Sequence, residues 1–325
     1  MLDASKVAAH GIEIIDPITL GQDDLIAAGL DHVALEAEVC LRAAGALRIT
    51  EATVPPEFPL FVADHLRANG IELTVDDDEF QHRRRVKNAH ELAGIRRAQK
   101  AADAAMGVAR SLIHELRPGL TSEEVRAAMA VVAEEHGCEM PGDVIVSHGA
   151  QSADGHESGS GEIGAGEPVV VDIWPRDKVS RCWADMTRTF VAGGGEPPEE
   201  LALYWRLTRD SLDRVYAELR AGANGRTLFE RSAEPYIEAG QPTQLSKEPG
   251  TVLEDGYFHG LGHGVGLEVH ERPYMGRMGD DLVVGDVVTV EPGCYRRGFG
   301  GCRLEDLVLV TEDGYEVLTD FPYDL

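Results

Sequence analysis

Glu115-Leu-Arg-Pro-Gly119 recurs as Glu218-Leu-Arg-Ala-Gly222, and the glycines closing the next helical pattern, Gly137 and Gly240, keep the same offset of 103 residues. A solenoid repeats every ~20–50 residues, so this longer period predicts two copies of a helix–loop–helix plus strand unit related by pseudo-twofold symmetry. Apolar strand patterns follow each copy. They are Asp143-Val-Ile-Val-Ser147 and Pro168-Val-Val-Val-Asp172 in the first, and Asp286-Val-Val-Thr-Val-Glu291 and Leu304-Glu-Asp-Leu-Val-Leu-Val310 in the second. Each half then carries acids on its strands, with helices outside, in an α+β fold.

The chain has 325 residues, long for one hydrophobic core, which predicts two domains. A small α/β domain is expected over 1–85, with the repeat-bearing domain over 86–325. In the first, Gly11-Ile-Glu-Ile-Ile15, His32-Val-Ala-Leu-Glu36 and Gly70-Ile-Glu-Leu-Thr-Val75 read as strands. Pro59–Gly70 reads as a helix closed by its glycine. Asp76–Glu79 and His82–Arg85 read as a polar hinge. A helix from Asn88 to about Glu115 follows, with Leu92, Ile95, Ala98, Ala102, Ala105 and Val108 at helical spacing.

A formal charge of −27 excludes nucleic acid and anionic membranes as partners, because both would be repelled. Only five of the 30 basic residues are lysine. Such self-repulsion is tolerable where salt shortens the screening length to ~3 Å near 1 M, which suggests a halophilic source; a GC-rich genome would also favour arginine. No run of about 18 apolar residues predicts a membrane span. The N-terminus lacks a signal-peptide pattern, and five scattered cysteines fit a reducing cytoplasm.

Chemistry concentrates in Phe258-His-Gly-Leu-Gly-His-Gly-Val-Gly-Leu-Glu-Val-His-Glu271, Val290-Glu-Pro-Gly293 and Arg303-Leu-Glu-Asp306, with Asp172 and Asp185 upstream. Glycines let a backbone approach a ligand closely. Imidazole with carboxylates is the ligand mixture of a hydrolytic divalent-metal site. The four carboxylates of Asp172, Asp185, Glu291 and Glu305, with the imidazole of His263, are too many anions for one zinc, and suit two ions about 3.5–4 Å apart. A carboxylate without a partner would be costly inside the runs that hold Glu291 and Glu305, and coordination removes that cost.

These five residues, in this order and with the glycine-rich histidine segment, resemble the metallopeptidases of the pita-bread fold over roughly residues 86–325. Within that group the chain looks most like the Xaa-Pro peptidases, aminopeptidase P and prolidase. The resemblance implies a curved antiparallel sheet with the metals in its concavity, a creatinase-like N-terminal domain that is reduced or truncated, and hydrolysis of the Xaa-Pro bond by water held between two ions. By resemblance, Asp185 and Glu305 bridge the ions, His263 and Glu291 ligate one, and Asp172 ligates the other. Glu291 also acts as proton acceptor. His270 stabilises the oxyanion, His259 and His156 line the substrate pocket, and Arg303 pairs with Asp172. Two divalent ions are expected, with manganese or cobalt favoured over zinc by the oxygen-rich ligands. A small peptide is the expected substrate and a homodimer the expected assembly.

Two departures bear on this reading. The family usually has Asp-x-Gly and about eleven residues between its aspartates; here Asp172 and Asp185 are thirteen apart, with Trp174 for the glycine and Pro175 inserted. The spacing predicts a hairpin with a longer turn, and Asp177 within it reads as solvated. Prolidases often place a carboxylate-holding arginine where this chain has Tyr274, with Arg272 as a substitute. Two alternatives stay open. One is a non-peptide amide hydrolase or lyase of the same fold, such as an ectoine-type hydrolase; the other is a non-catalytic module. His82, His114, His136 and Glu268 read as surface residues.

Overall fold

Helices in the larger part of the protein begin where side chains satisfy their free amides. Asn88 accepts from the His90 and Glu91 amides, and Glu91 reaches back to the Asn88 amide at 2.9 Å, opening Ala89–His114. Thr121 and Glu124 make the same reciprocal cap for Ser122–Glu135. Asn224 caps Gly225–Glu238, which follows Glu199–Glu218. The offset of 103 carries Ser122–Glu135 onto Gly225–Glu238 end to end and Thr121 onto Asn224. It also joins Gly119 to Gly222 (φ 77° and 80°) and Gly137 to Gly240 (both 73°). A side chain is strained in that left-handed region, which is why the repeat keeps glycine there.

Between the helix pairs lie the strands. Pro168–Ile173 is the centre of a three-stranded antiparallel sheet, flanked by Ile145–His148 and Met186–Val191. The second half forms a five-stranded sheet in the order Gly314–Val317, Asp306–Thr311, Val287–Val290, Gly262–Gly264, Glu271–Met275. Gly293–Arg296 and Gly300–Arg303 form a separate hairpin. Two hydrophobic clusters match the two halves. One gathers Met106, Ile113, Met129, Val171 and Phe190; the other gathers Leu212, Phe229, Tyr236, Tyr257 and Val290.

The computed structural model describes residue 11 and residues 13–325, and it divides into two units between Gln81 and His82. In the first, Glu51–Val54 and Glu72–Val75 pair in parallel, and Leu60–Ala68 packs Val62 and Leu66 with Ile71 and Ala44. Among the described residues no helix is long and apolar enough to cross a membrane.

Several sequence expectations fail locally. His32–Glu36 is no strand; it opens the helix His32–Ala46, because Asp31 accepts from the Ala34 amide at 2.8 Å and fixes an N-terminus there. Ile12 lies outside the described residues, and Glu13–Ile15 is not in a strand. Asp16 and Pro17 start a 3₁₀ turn, Pro17–Leu20. The polar hinge is the helix Asp77–Arg85, acidic in its first turn and basic in its last, the charge order that complements a helix dipole. Asp177 is buried, in Arg176–Asp177, a short strand paired to Cys138–Glu139. Burial works against its charge, but the Arg97 guanidinium at 2.8 and 2.9 Å and Ser180 hold the carboxyl well below the usual range. The inserted residues are therefore a folded arm rather than a longer turn.

Candidate metal centre

Asp172 is the penultimate residue of Pro168–Ile173, opposite Ile145 on one side and Thr187 on the other. Asp185 precedes Met186–Val191 directly, so the paired strands bring both aspartates to one end of the sheet despite their longer separation. His263 is the middle residue of Gly262–Gly264. Its flanks must be glycine: a Cβ at Gly262 would lie 2.1 Å from the Thr289 carbonyl oxygen, and one at Gly264 2.3 Å from that of Arg272. Glu291 follows Val287–Val290, and Glu305 joins Gly300–Arg303 to Asp306–Thr311.

Ligand atoms of Asp185, His263 and Glu305 all lie within 4.8 Å of one another. His263 Nε2 is 3.8 Å from Asp185 Oδ2 and 3.5 Å from Glu291 Oε1. Its Nδ1 lies 3.1 Å from the Gly264 carbonyl oxygen and must donate to it. That tautomer leaves the Nε2 lone pair directed at the carboxylates, the form a metal ligand needs. Burial, with the neighbouring His270, pushes the imidazole down to about 3, so it is neutral.

The carboxyl groups are crowded in the opposite sense. Burial and the Glu305, Asp172 and Glu291 charges push Asp185 well above the carboxylate range, and burial with Glu291 and Asp172 does the same to Glu305. Burial raises Glu291 to about 7, with Arg303 opposing and Asp172 adding to the shift. Asp172 Oδ1 is buried and, among the described residues, has no hydrogen-bond partner. A neutral imidazole, three carboxyls that resist ionisation together and an orphaned carboxylate oxygen are what a divalent cation would resolve, so the donor set fits the metal.

Polar side chains behind the acids fix their geometry. Arg303 donates to Asp172 Oδ2 at 2.6 Å, to Tyr295 Oη at 2.8 Å and to Thr187 Oγ1 at 3.2 Å. Thr187 donates in turn to Glu305 Oε2 at 2.6 Å. His259 Nδ1 lies 2.8 Å from the Gly260 carbonyl, and Nε2 lies 3.1 Å from Tyr295 Oη. The carbonyl requires N–H at Nδ1, so Nε2 accepts from Tyr295, and burial with Arg303 pushes this ring down to about 3. Tyr295 and Thr187 were missed in the sequence. The His270 ring stands 4.1 Å from that of His263, at the cavity's exposed side, and burial with His156 lowers its pKa.

One cavity of about 430 Å³ takes in all nine residues singled out from the sequence: Asp172, Asp185, His263, Glu291, Glu305, His270, His259, His156 and Arg303. Trp174, the residue in place of the family glycine, lines it too, with Asp143, Asp154 and Phe258. Arg272 is drawn to Asp280 at 3.4 Å and does not line it. Tyr274 is half exposed in the neighbouring strand. Glu268 and His82 are exposed as expected; His114 is half-buried, edge-on to Phe190 at 5.7 Å. Glu271 is buried against Lys87 at 2.5 Å, a pairing its sequence context did not signal.

Residues 93–312 match metallopeptidase family M24. An Xaa-Pro dipeptidase from Pyrococcus furiosus is 32% identical over 78% of this chain and 68% of its own. A probable dipeptidase PepE from Mycobacterium tuberculosis is 32% identical over 100% of this chain and 79% of its own. Among solved structures, the prolidase from Pyrococcus horikoshii superposes with a TM-score of 0.76 at 28% identity, covering 87% of this chain and 78% of the other. An X-Pro aminopeptidase from Thermotoga maritima gives 0.77 at 27% identity, over 89% and 78%. The α+β architecture is the pita-bread fold of those neighbours. On the family match and these relatives together, the chain belongs to metallopeptidase family M24, in its Xaa-Pro peptidase branch.

Proposed function

We propose that this protein hydrolyses the Xaa-Pro peptide bond of short peptides, using two divalent ions held by Asp172, Asp185, His263, Glu291 and Glu305. The observation that carries the reading is the convergence of Asp185, His263 and Glu305 within 4.8 Å, beside the orphaned Asp172 oxygen. Manganese or cobalt suits this oxygen-rich set better than zinc. When bound, such ions lower the pKa of water and polarise the scissile carbonyl.

The chain's own residues supply the rest. Glu291, buried beside the other proposed ligands, takes a proton from the attacking water and returns it to the departing nitrogen. His270, held down by burial, carries its single N–H as a neutral donor for the developing oxyanion. His259, locked by the Gly260 carbonyl and Tyr295, offers a fixed wall for the proline ring rather than a free acid. His156 lines the same cavity. Arg303 orients Asp172 and, through Thr187, Glu305, so a single guanidinium keeps two acids from turning away.

The test is a substrate panel on the manganese-loaded protein in high and low salt, with Xaa-Pro dipeptides, longer Xaa-Pro peptides and cyclic amides of the ectoine type. Cleavage of Xaa-Pro substrates, abolished by chelation and restored by metal, supports the reading. Turnover of the cyclic amides alone would replace it with non-peptide amide hydrolysis.

A further inference from the structure

A second cavity, of about 930 Å³, opens beside the metal-site cavity and shares Phe258, His259 and Gly260 with it. Its walls carry Arg226, Lys247 and Arg277, and no aspartate or glutamate. Across the whole chain, acids outnumber Lys and Arg by 57 to 30, so a cavity lined with three cations and no acid runs against the rest of the molecule. The three differ in how far they are already engaged. Arg226 is shared with Glu230 at 3.0 Å. Lys247 donates to the Thr251 carbonyl at 2.7 Å, a neutral acceptor that leaves its charge uncompensated. Arg277 is exposed and, among the described residues, has no ion-pair partner. The same lining also has apolar side chains, Phe229 and Leu245 among them.

We propose that this annex binds a carboxylate carried by the peptide beyond its proline, so that the protein favours short Xaa-Pro-Yaa substrates in which Yaa is anionic. The proposal rests on the Xaa-Pro reading for the direction in which the peptide leaves the metal site. His259 belongs to both cavities, so a chain whose proline lies against it passes into the annex within one residue, a reach of ~3.5 Å. The apolar side chains accept the body of that residue. The Arg277 guanidinium and the Lys247 ammonium accept its charge, as charge-assisted hydrogen bonds to a carboxylate require. The molecule's overall field works against this outcome: a net charge of −27 draws cationic peptides and repels anionic ones. A preference for the anion can therefore come only from the local cluster.

The experiment uses the full chain loaded with manganese and three C-terminally amidated peptides, Ala-Pro-Glu, Ala-Pro-Gln and Ala-Pro-Lys. The expected order of kcat/KM is Glu, then Gln, then Lys, with the extremes about tenfold or more apart, mainly in KM. Arg277→Gln combined with Lys247→Gln should bring the extremes to within about twofold, and Arg277→Glu should favour the lysine peptide. The proposal is overturned if the wild type cleaves the lysine peptide as well as the glutamate one, or if the ratio survives both variants. Should no Xaa-Pro peptide be cleaved, calorimetric binding of the same peptides decides separately. Tighter binding of Ala-Pro-Glu, lost in the double variant, keeps the annex while removing the proposed reaction; equal binding removes the annex.

Discussion

Arg303 and Asp172 meet at 2.6 Å from strands of opposite halves of the repeat, and the oxygen left over, Asp172 Oδ1, has no hydrogen-bond partner among the described residues. One oxygen of the carboxylate is held by the guanidinium while the other is free for a ligand. That division sets the outcome of disturbing the pair. Arg303→Met should leave the five proposed ligands in place but unclamp Asp172, lowering metal affinity or turnover about 10–100-fold. Arg303→Lys should restore little, since an ammonium cannot serve Asp172, Tyr295 and Thr187 at once. Metal titration of both variants reads this directly. Unchanged affinity and turnover in Arg303→Met would remove the guanidinium from the account.

Asp185 and Glu305 are the acids proposed to touch both ions. Replacing either with alanine should cost both activity and bound metal, measured as metal per chain after dialysis. Two ions per chain with near-normal turnover in either variant would contradict the assignment.

His263 and His270 should part company when each is changed to alanine. His270→Ala should retain its metal and lose about 10²–10³-fold in turnover, the usual loss for one oxyanion donor. His263→Ala should lose metal, because it removes the imidazole from the cluster. Identical metal content in the two would mean the roles within this segment are misassigned.

Acidity of the buried carboxyls gives a pH signature in the metal-free protein. Glu291 is raised from 4.5 to about 7 in the fold, so it costs nothing below pH 4.5, where folded and unfolded forms are both protonated. The cost grows as pH rises from the unfolded value of 4.5 through the folded one, because the unfolded chain gives up this proton first. Melting of the metal-free protein should therefore fall from pH 5 to pH 8 more steeply than that of the manganese-loaded protein. Parallel curves would show that the ions do not neutralise these acids.

Salt dependence should follow the surface charge. Repulsion among the acids reaches ~30 Å at 0.01 M salt and ~3 Å at 1 M. The melting temperature should drop as salt is removed below a few tenths molar. A flat or rising curve would argue against salt adaptation and leave the acid-rich composition without that explanation.

The four acids and the imidazole of the centre were legible in the sequence because few other environments accept such residues beside glycine-rich turns and apolar strands. The repeat was legible because left-handed glycines punctuate it at fixed positions. Tyr295 and Thr187 were not, since tyrosine and threonine are ordinary strand residues and only the folded register brings them to Arg303. Asp177 was misread because its partner, Arg97, lies 80 residues earlier. His32–Glu36 was misread because a short apolar segment bounded by Gly and Asp carries no period, and only the Asp31 cap decides it.

Strands of the first half carry Asp172 and adjoin Asp185, and strands of the second carry His263 and adjoin Glu291 and Glu305. Neither half owns a complete chelate. The ions would then act as a clasp, added to the apolar cluster that joins Ala184 of one half to Val265, Val287 and Leu307 of the other. Chelation should accordingly open the seam to proteases before either core melts, and added manganese should close it again.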